Sequence, residues 1–155
     1  MTLDEMNELI SNLQCADLGF VDEYGYPSIR RVFCTYHKGI GEHMFSTNAY
    51  SVHVQRLLAS STACLYFADN EKYCGVCLHG TAIVHTQWEY KKLLWHDGDE
   101  EYYPKGIDDE DYCVIEFAAD SGRYYRYGES GDISLEDIDN YDKGRSYIDF
   151  RMKFM

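Results

Sequence analysis

The 155-residue sequence predicts a mainly β domain of the α+β kind, with five to seven short, mostly antiparallel strands and three short helices forming a small closed or split barrel. Three observations predict it. Short apolar runs carrying β-branched and aromatic residues recur from Cys15 to Tyr127. Turns such as Asp22-Glu-Tyr-Gly-Tyr-Pro27 and Lys38-Gly-Ile-Gly41 separate the first of these runs. Helical spacing is confined to stretches of about a dozen residues or fewer.

Taken in order, Thr2-Leu-Asp-Glu5 is a capping box, and Met6, Leu9, Ile10 and Leu13 then recur at helical spacing, predicting a helix over 3–13. Cys15–Val21 reads as a strand, and Gly25 supplies the flexible position of the turn after it. Ser28–Tyr36 and His43–Thr47 are the next strands, and these three are expected to form an antiparallel meander. Ser51 is a good N-cap for a helix through Ala59, with Val54, Leu57 and Leu58 as its buried stripe. Ala63–Ala68 and Tyr73–Val84 are strands, and Thr86-Gln-Trp-Glu89 is a second capping box opening a helix to about Trp95. Tyr112–Phe117 is a strand, and Gly122–Tyr127 is either one more or an extended arm. The sequence divides into residues 1–128, the barrel, and 129–155, an acidic C-terminal extension expected to be loosely ordered. Within that extension Tyr147, Ile148, Phe150, Met152, Phe154 and Met155 are able to pack.

The net charge of −13 argues against nucleic acid and anionic membrane surfaces as main partners, since both need Lys and Arg patches. Much of the excess lies in Asp97–Asp111 and Glu129–Asp142, read as solvated surface. No apolar run is long enough for a membrane helix and the N-terminus lacks the pattern of a secretory signal, so the expected location is cytoplasmic. The six cysteines sit mostly in apolar runs and read as reduced, buried small hydrophobes. Cys74-Gly-Val-Cys77 is a single CxxC whose sulfurs face opposite sides of a strand, so no metal site is expected there. His37, His43, His85 and His96 form no visible ligand set, and no nucleophile motif is present.

The residues that point to a site lie between Pro27 and Phe67. Phe45-Ser-Thr-Asn48 ends a strand and Ser51 opens a helix, which brings hydroxyls and backbone N–H groups to one corner suited to a phosphate. Arg30 and Arg31 are adjacent on the preceding strand and therefore point to opposite faces, with Arg30 expected to meet the ligand. Trp95, Tyr102 and Tyr103 either wall a pocket or anchor their loop on the barrel.

Those residues, together with Cys64-Leu-Tyr-Phe67, Leu78-His-Gly-Thr-Ala-Ile-Val84, Trp95-His-Asp-Gly-Asp, Tyr102-Tyr-Pro-Lys-Gly106 and Asp111-Tyr-Cys-Val114, give the chain its resemblance to a known family. The sequence resembles the pyridoxamine 5′-phosphate oxidase-like FMN-binding split β-barrels, in their small stress-protein-type branch. The resemblance implies a six-stranded antiparallel split β-barrel with short flanking helices. It also implies a homodimer with two flavin sites at the subunit interface, and FMN as cofactor. Carried over by position, Arg30 meets the phosphate or ribityl chain, and Thr47 and Ser51 give hydroxyl contacts. The backbone at Arg31, Val32 and Phe33 and at Phe45, Ser46 and Thr47 lines the ring. A small-molecule substrate or a nicotinamide cofactor is the implied partner in an oxidoreductase reaction.

Two departures matter. After the corner serine the family commonly has Arg-Lys, whereas this chain has Val52 and His53. Val52 cannot pair with an anion, and His53 does so only when protonated. The chain also ends Ser146-Tyr-Ile-Asp-Phe-Arg-Met-Lys-Phe-Met155, without the tryptophan and Arg-Leu-Ser-Pro run of true vitamin B6 oxidases. The alternative function is a non-catalytic dimeric ligand-binding or stress-response module with weak or lost FMN affinity, for haem or another flavin.

Overall fold

The structure is a computed structural model that describes residues 1–34 and 36–151. Among the described residues nine strands form one antiparallel sheet rather than the six expected. In chain order the elements are α1 (Leu3–Ser11), β1 (Cys15–Val21), β2 (Pro27–Phe33), β3 (Tyr36–Lys38), β4 (Glu42–Asn48), α2 (Val52–Ala59), β5 (Thr62–Asp69), β6 (Cys74–His85), α3 (Trp88–Leu94), β7 (Tyr112–Arg126), β8 (Glu129–Ile133), α4 (Leu135–Asp142) and β9 (Ile148–Asp149). The sheet runs β2-β1-β5-β6-β7-β4-β3-β9, and β8 pairs with β7.

The local signals explain most of these elements. Thr2 and Glu5 close the capping box of α1 in both directions, at 3.1 and 3.0 Å. Ser51 caps α2 and Ser134 caps α4. The core gathers Leu18, Leu65, Phe67, Val76, Leu78, Ile115 and Phe117 from the sheet, with Met6, Ile10, Val54 and Leu57 from the helices. The sheet bends at a bulge between His79 and Gly80, where a Cβ on Gly80 would stand 2.0 Å from the Ala118 carbonyl oxygen. All six cysteines are free, and Cys15, Cys64 and Cys77 are only half-buried. No helix among the described residues is long and apolar enough to cross a membrane.

Several expectations need correction. The expected meander does not form. β2 pairs with β1 alone, while β4 pairs with β3 and β7. The expected strand Ser28–Tyr36 stops at Phe33 and resumes as β3, with Thr35 outside the described residues. Leu58 is exposed and His53 takes its place on the buried face of α2. The cap of α3 is Gln87 without a side-chain bond, so Thr86 opens no capping box. Tyr112–Arg126 is one continuous strand, because β6, β4 and β8 supply ladder partners across a stretch of weak local preference.

The acidic extension is not loosely ordered where it is described. Ile133 and Ile138 enter the barrel core. The buried Asp142 carboxylate accepts the backbone N–H groups of Ile40 and Gly41, both at 2.8 Å. Tyr147 stacks on Tyr36 at 4.8 Å and β9 pairs with β3. Met152, Phe154 and Met155 lie outside the described residues.

Two predictions follow from this packing. Asp142→Ala strips two buried donors of their acceptor and should lower unfolding free energy by about 2–4 kcal/mol in a urea titration. His43 is fully buried and its Nε2–H donates to the Ile40 carbonyl at 2.6 Å. Burial, then the neighbouring His37, pushes its pKa from 6.5 down to about 3. The unfolded chain therefore binds the extra proton in that window, and stability falls as pH drops from about 6.5 towards about 3. His43→Phe should flatten this loss when urea midpoints at pH 7 and pH 5 are compared; an unchanged slope would contradict the assignment.

Candidate functional site

Antiparallel pairing leaves two strand edges facing each other. Among the described residues β2 has its ladder only with β1, and β3 covers β4 only over Glu42–Met44. The edge of β4 from Phe45 to Asn48 therefore lies towards β2 without a strand between them. A cavity of about 620 Å3 occupies this seam. Arg30, Arg31 and Phe33 line it from β2, and Met44 to Asn48 from β4. Leu94, Asp99, Tyr102 and Tyr103 line it from the segment after α3, and Phe150 and Arg151 from the C-terminal segment.

Of the residues expected at the site, Arg30, Arg31, Phe33, Phe45, Ser46 and Thr47 stand around this cavity. Val32, Ser51 and His53 do not line it. Val32 turns into the core. Ser51 Oγ donates to the Asn48 carbonyl at 2.6 Å and accepts the Val54 N–H at 3.4 Å. His53 is 2% exposed and lies behind the cavity wall, with Nε2 at 2.8 Å from Thr47 Oγ1 and 3.3 Å from Ser51 Oγ. Burial, and then the Arg30 guanidinium, hold its pKa below the usual histidine value. The ring is thus neutral at pH 7 and serves as a hydrogen-bond partner rather than a cation.

The two arginines differ as the alternation of a strand requires. Arg30 shares a face with its cross-strand partner Leu18, and no ion pair holds it among the described residues. Arg31 turns outward and makes a two-pronged contact with Asp17, at 3.0 and 3.3 Å. Across the cavity, Tyr103 meets Tyr112 edge to face at 4.8 Å, and Trp95 meets Tyr112 at 5.1 Å and 90°. Tyr102 and Tyr103 thus wall the cavity, while Trp95 anchors the wall from behind. The C-terminal wall is pinned by Arg151 Nη2 to the Leu94 carbonyl at 2.9 Å and by His96 Nε2 to Asp149 at 3.2 Å.

Asp111 organises the corner between β4 and α2, a role that the motif Asp111-Tyr-Cys-Val114 does not assign to it. Its carboxylate accepts the Tyr50 N–H at 3.0 Å and the Asn48 side-chain amide at 2.8 Å, and its carbonyl accepts the Ala49 N–H at 2.7 Å. The signals available in advance are its position directly before a strand and its place at the head of that motif. A flat aromatic group fits the apolar and aromatic part of the cavity. The corner offers a phosphate the two N–H groups of the first turn of α2 and the charge of Arg30, but Val52 and a neutral His53 add no charge and the Asp111 carboxylate opposes an anion.

The comparisons with known proteins agree with the fold. A family model described as pyridoxamine 5′-phosphate oxidase like matches residues 2–135. A solved structure from Clostridium acetobutylicum, of a protein related to general stress protein 26 of B. subtilis (pyridoxinephosphate oxidase family), is 38% identical with a TM-score of 0.81, over 88% of this chain and 96% of that one. General stress protein 26 from Bacillus anthracis is similar in fold at 13% identity and a TM-score of 0.68, over 84% and 98% of the two chains. So is a heme binding protein from Mycobacterium smegmatis, at 17% and 0.69, over 89% and 60%. No curated protein sequence matches the chain.

His53→Ala should remove the shared partner of Thr47 and Ser51 and leave a void. The expected cost is about 2–3 kcal/mol in urea unfolding. A loss below about 0.5 kcal/mol, the range of neutral surface changes, would show that the ring does not hold the corner.

Proposed function

The chain belongs to the pyridoxamine 5′-phosphate oxidase-like family, and on that premise we propose that it is a flavoprotein, with FMN as the expected cofactor, that binds its flavin between β2 and β4 and acts as an oxidoreductase. The observation that carries this reading is the seam cavity, whose volume of about 620 Å3 lies in the range of cofactor pockets. Two unpaired strand edges border it, and backbone donors and acceptors on such edges need partners. A flavin ring offers both kinds along its polar rim and an apolar face for Phe33 and Tyr103.

A bound flavin supplies hydride and single-electron transfer. The chain's own residues bind and orient. Ser46 and Thr47 offer hydroxyls on β4, with Thr47 held by His53. Arg30 keeps a positive charge at the rim. Tyr103 and Phe150, both nearly buried, exclude water from the inner wall. No residue is assigned as general acid or base. A small organic molecule or nicotinamide cofactor is the expected redox partner, and oxidation of pyridoxamine phosphate is not proposed. A homodimer is supported by Ile29 and Phe33 on β2, which are 76% and 71% exposed beside the cavity. Haem has less support, because no histidine or cysteine is among the described residues that line the cavity.

The test is the visible absorption spectrum after incubation with excess FMN and desalting. Flavin bands near one per chain support the reading, and NADH or NADPH oxidation then follows the redox step. Ser46→Phe, which fills the cavity floor, should abolish retention while the circular dichroism spectrum stays that of the wild type. Flavin retained in full by this variant would place the site elsewhere, and none retained by the wild type would favour the non-catalytic binding module.

A further inference from the structure

We propose that this cavity recognises the ring and sugar-alcohol part of a flavin and provides no dedicated seat for the terminal phosphate, so that riboflavin is as good a ligand as FMN. The inference rests on the flavin reading above and narrows the ligand class of that site.

Four observations at the β4–α2 corner carry it. First, most of its backbone donors are already committed, leaving the Val52 and His53 N–H groups of the first turn of α2 without an acceptor among the described residues. The N–H groups of Ala49 and Tyr50 go to Asp111, that of Ser51 to the Asn48 carbonyl, and that of Val54 to Ser51 Oγ. A phosphate drawing on more than those two would have to displace these bonds. Second, the Asp111 carboxylate is built into the corner through Asn48 and Tyr50, and the Tyr50 hydroxyl reaches Glu110 at 3.2 Å. Both acids repel a dianion. Third, Val52 at the first turn of α2 is apolar and 65% exposed, and His53 is buried against two hydroxyls. Neither supplies a charge. Fourth, two of the three arginines around the cavity are engaged. Arg31 is held by Asp17, and Arg151 by Asp149 and the Leu94 carbonyl.

Arg30 is left as the one cation without an ion pair among the described lining residues. A dianion at the corner would thus face one free positive charge and at least one fixed negative charge. The remainder of the cavity has what a neutral ring and polyol need: aromatic walls, the Ser46 and Thr47 hydroxyls, and two unpaired strand edges. Binding energy therefore comes from the end of the ligand that riboflavin and FMN share.

The experiment is a fluorescence titration of the full chain with riboflavin and with FMN in the same low-salt buffer, on the wild type and on Val52→Arg. One charge-assisted hydrogen bond to the phosphate would favour FMN by about tenfold or more. A riboflavin dissociation constant within tenfold of that for FMN supports the proposal. FMN bound tenfold or more tightly overturns it. Val52→Arg, at an exposed position that leaves the fold intact, should tighten FMN by about tenfold and leave riboflavin unchanged. FMN affinity unmoved by this variant would show that the phosphate end lies away from the corner and would also overturn the account. Binding of neither flavin would instead remove the flavin reading itself, a result distinct from the loss of phosphate discrimination.

Discussion

β2 and β4 approach each other without a shared hydrogen-bond ladder, and the rest of the site depends on that constraint. A sheet that closed completely would satisfy its own edges and fill its seam with side chains. Here β1 turns to β5 for its second partner, and β4 turns to β7. The two edges left over border the cavity. The bulge at His79 and Gly80 and the long run of β7 hold the sheet in the curve that brings them together. The C-terminal segment then closes the far wall, through β9 on β3 and Asp142 under the β3–β4 turn.

Charge sets what this seam can hold. The chain carries a net charge of −13, and its acids do more than coat the surface. Asp17 holds Arg31, Asp149 holds Arg151 and His96, and Asp111 holds the corner before α2. Each contact orders a wall of the cavity and removes a cation or a backbone donor from the set available to an anionic ligand. The family fold is retained, and on the proposed flavin reading the corner before α2 offers little positive charge to a phosphate. On that reading, ring recognition and phosphate recognition fall to different residues.

Much of this was legible in the sequence. Capping residues and strand alternation located α1, β1, α2, β5 and β6 within a residue or two, since those signals are local. The cluster Arg30, Phe33, Phe45, Ser46 and Thr47 was legible because a strand end meeting a helix start has recognisable chemistry. What escaped was non-local. The continuity of β7 comes from its neighbours, not from Ala118-Ala119-Asp120-Ser121. The order of residues 129–142 depends on Ile133, Ile138 and Asp142, three inward positions scattered in an acidic run. Asp111 heads a motif that carries the family resemblance, but its role is visible only once the fold places it beside Tyr50. The burial of His53 in place of Leu58 is a rotation of α2 that its short apolar stripe does not specify.

A crystal structure of the protein grown with FMN tests the central claim most directly. The account predicts the isoalloxazine ring in the seam between β2 and β4, against Phe33 and Tyr103, with Asp111 still bonded to Asn48 and Tyr50 and the phosphate beside that corner without a charged partner from α2. A phosphate seated on the first turn of α2 with Asp111 displaced, or a flavin bound outside the seam, would contradict it.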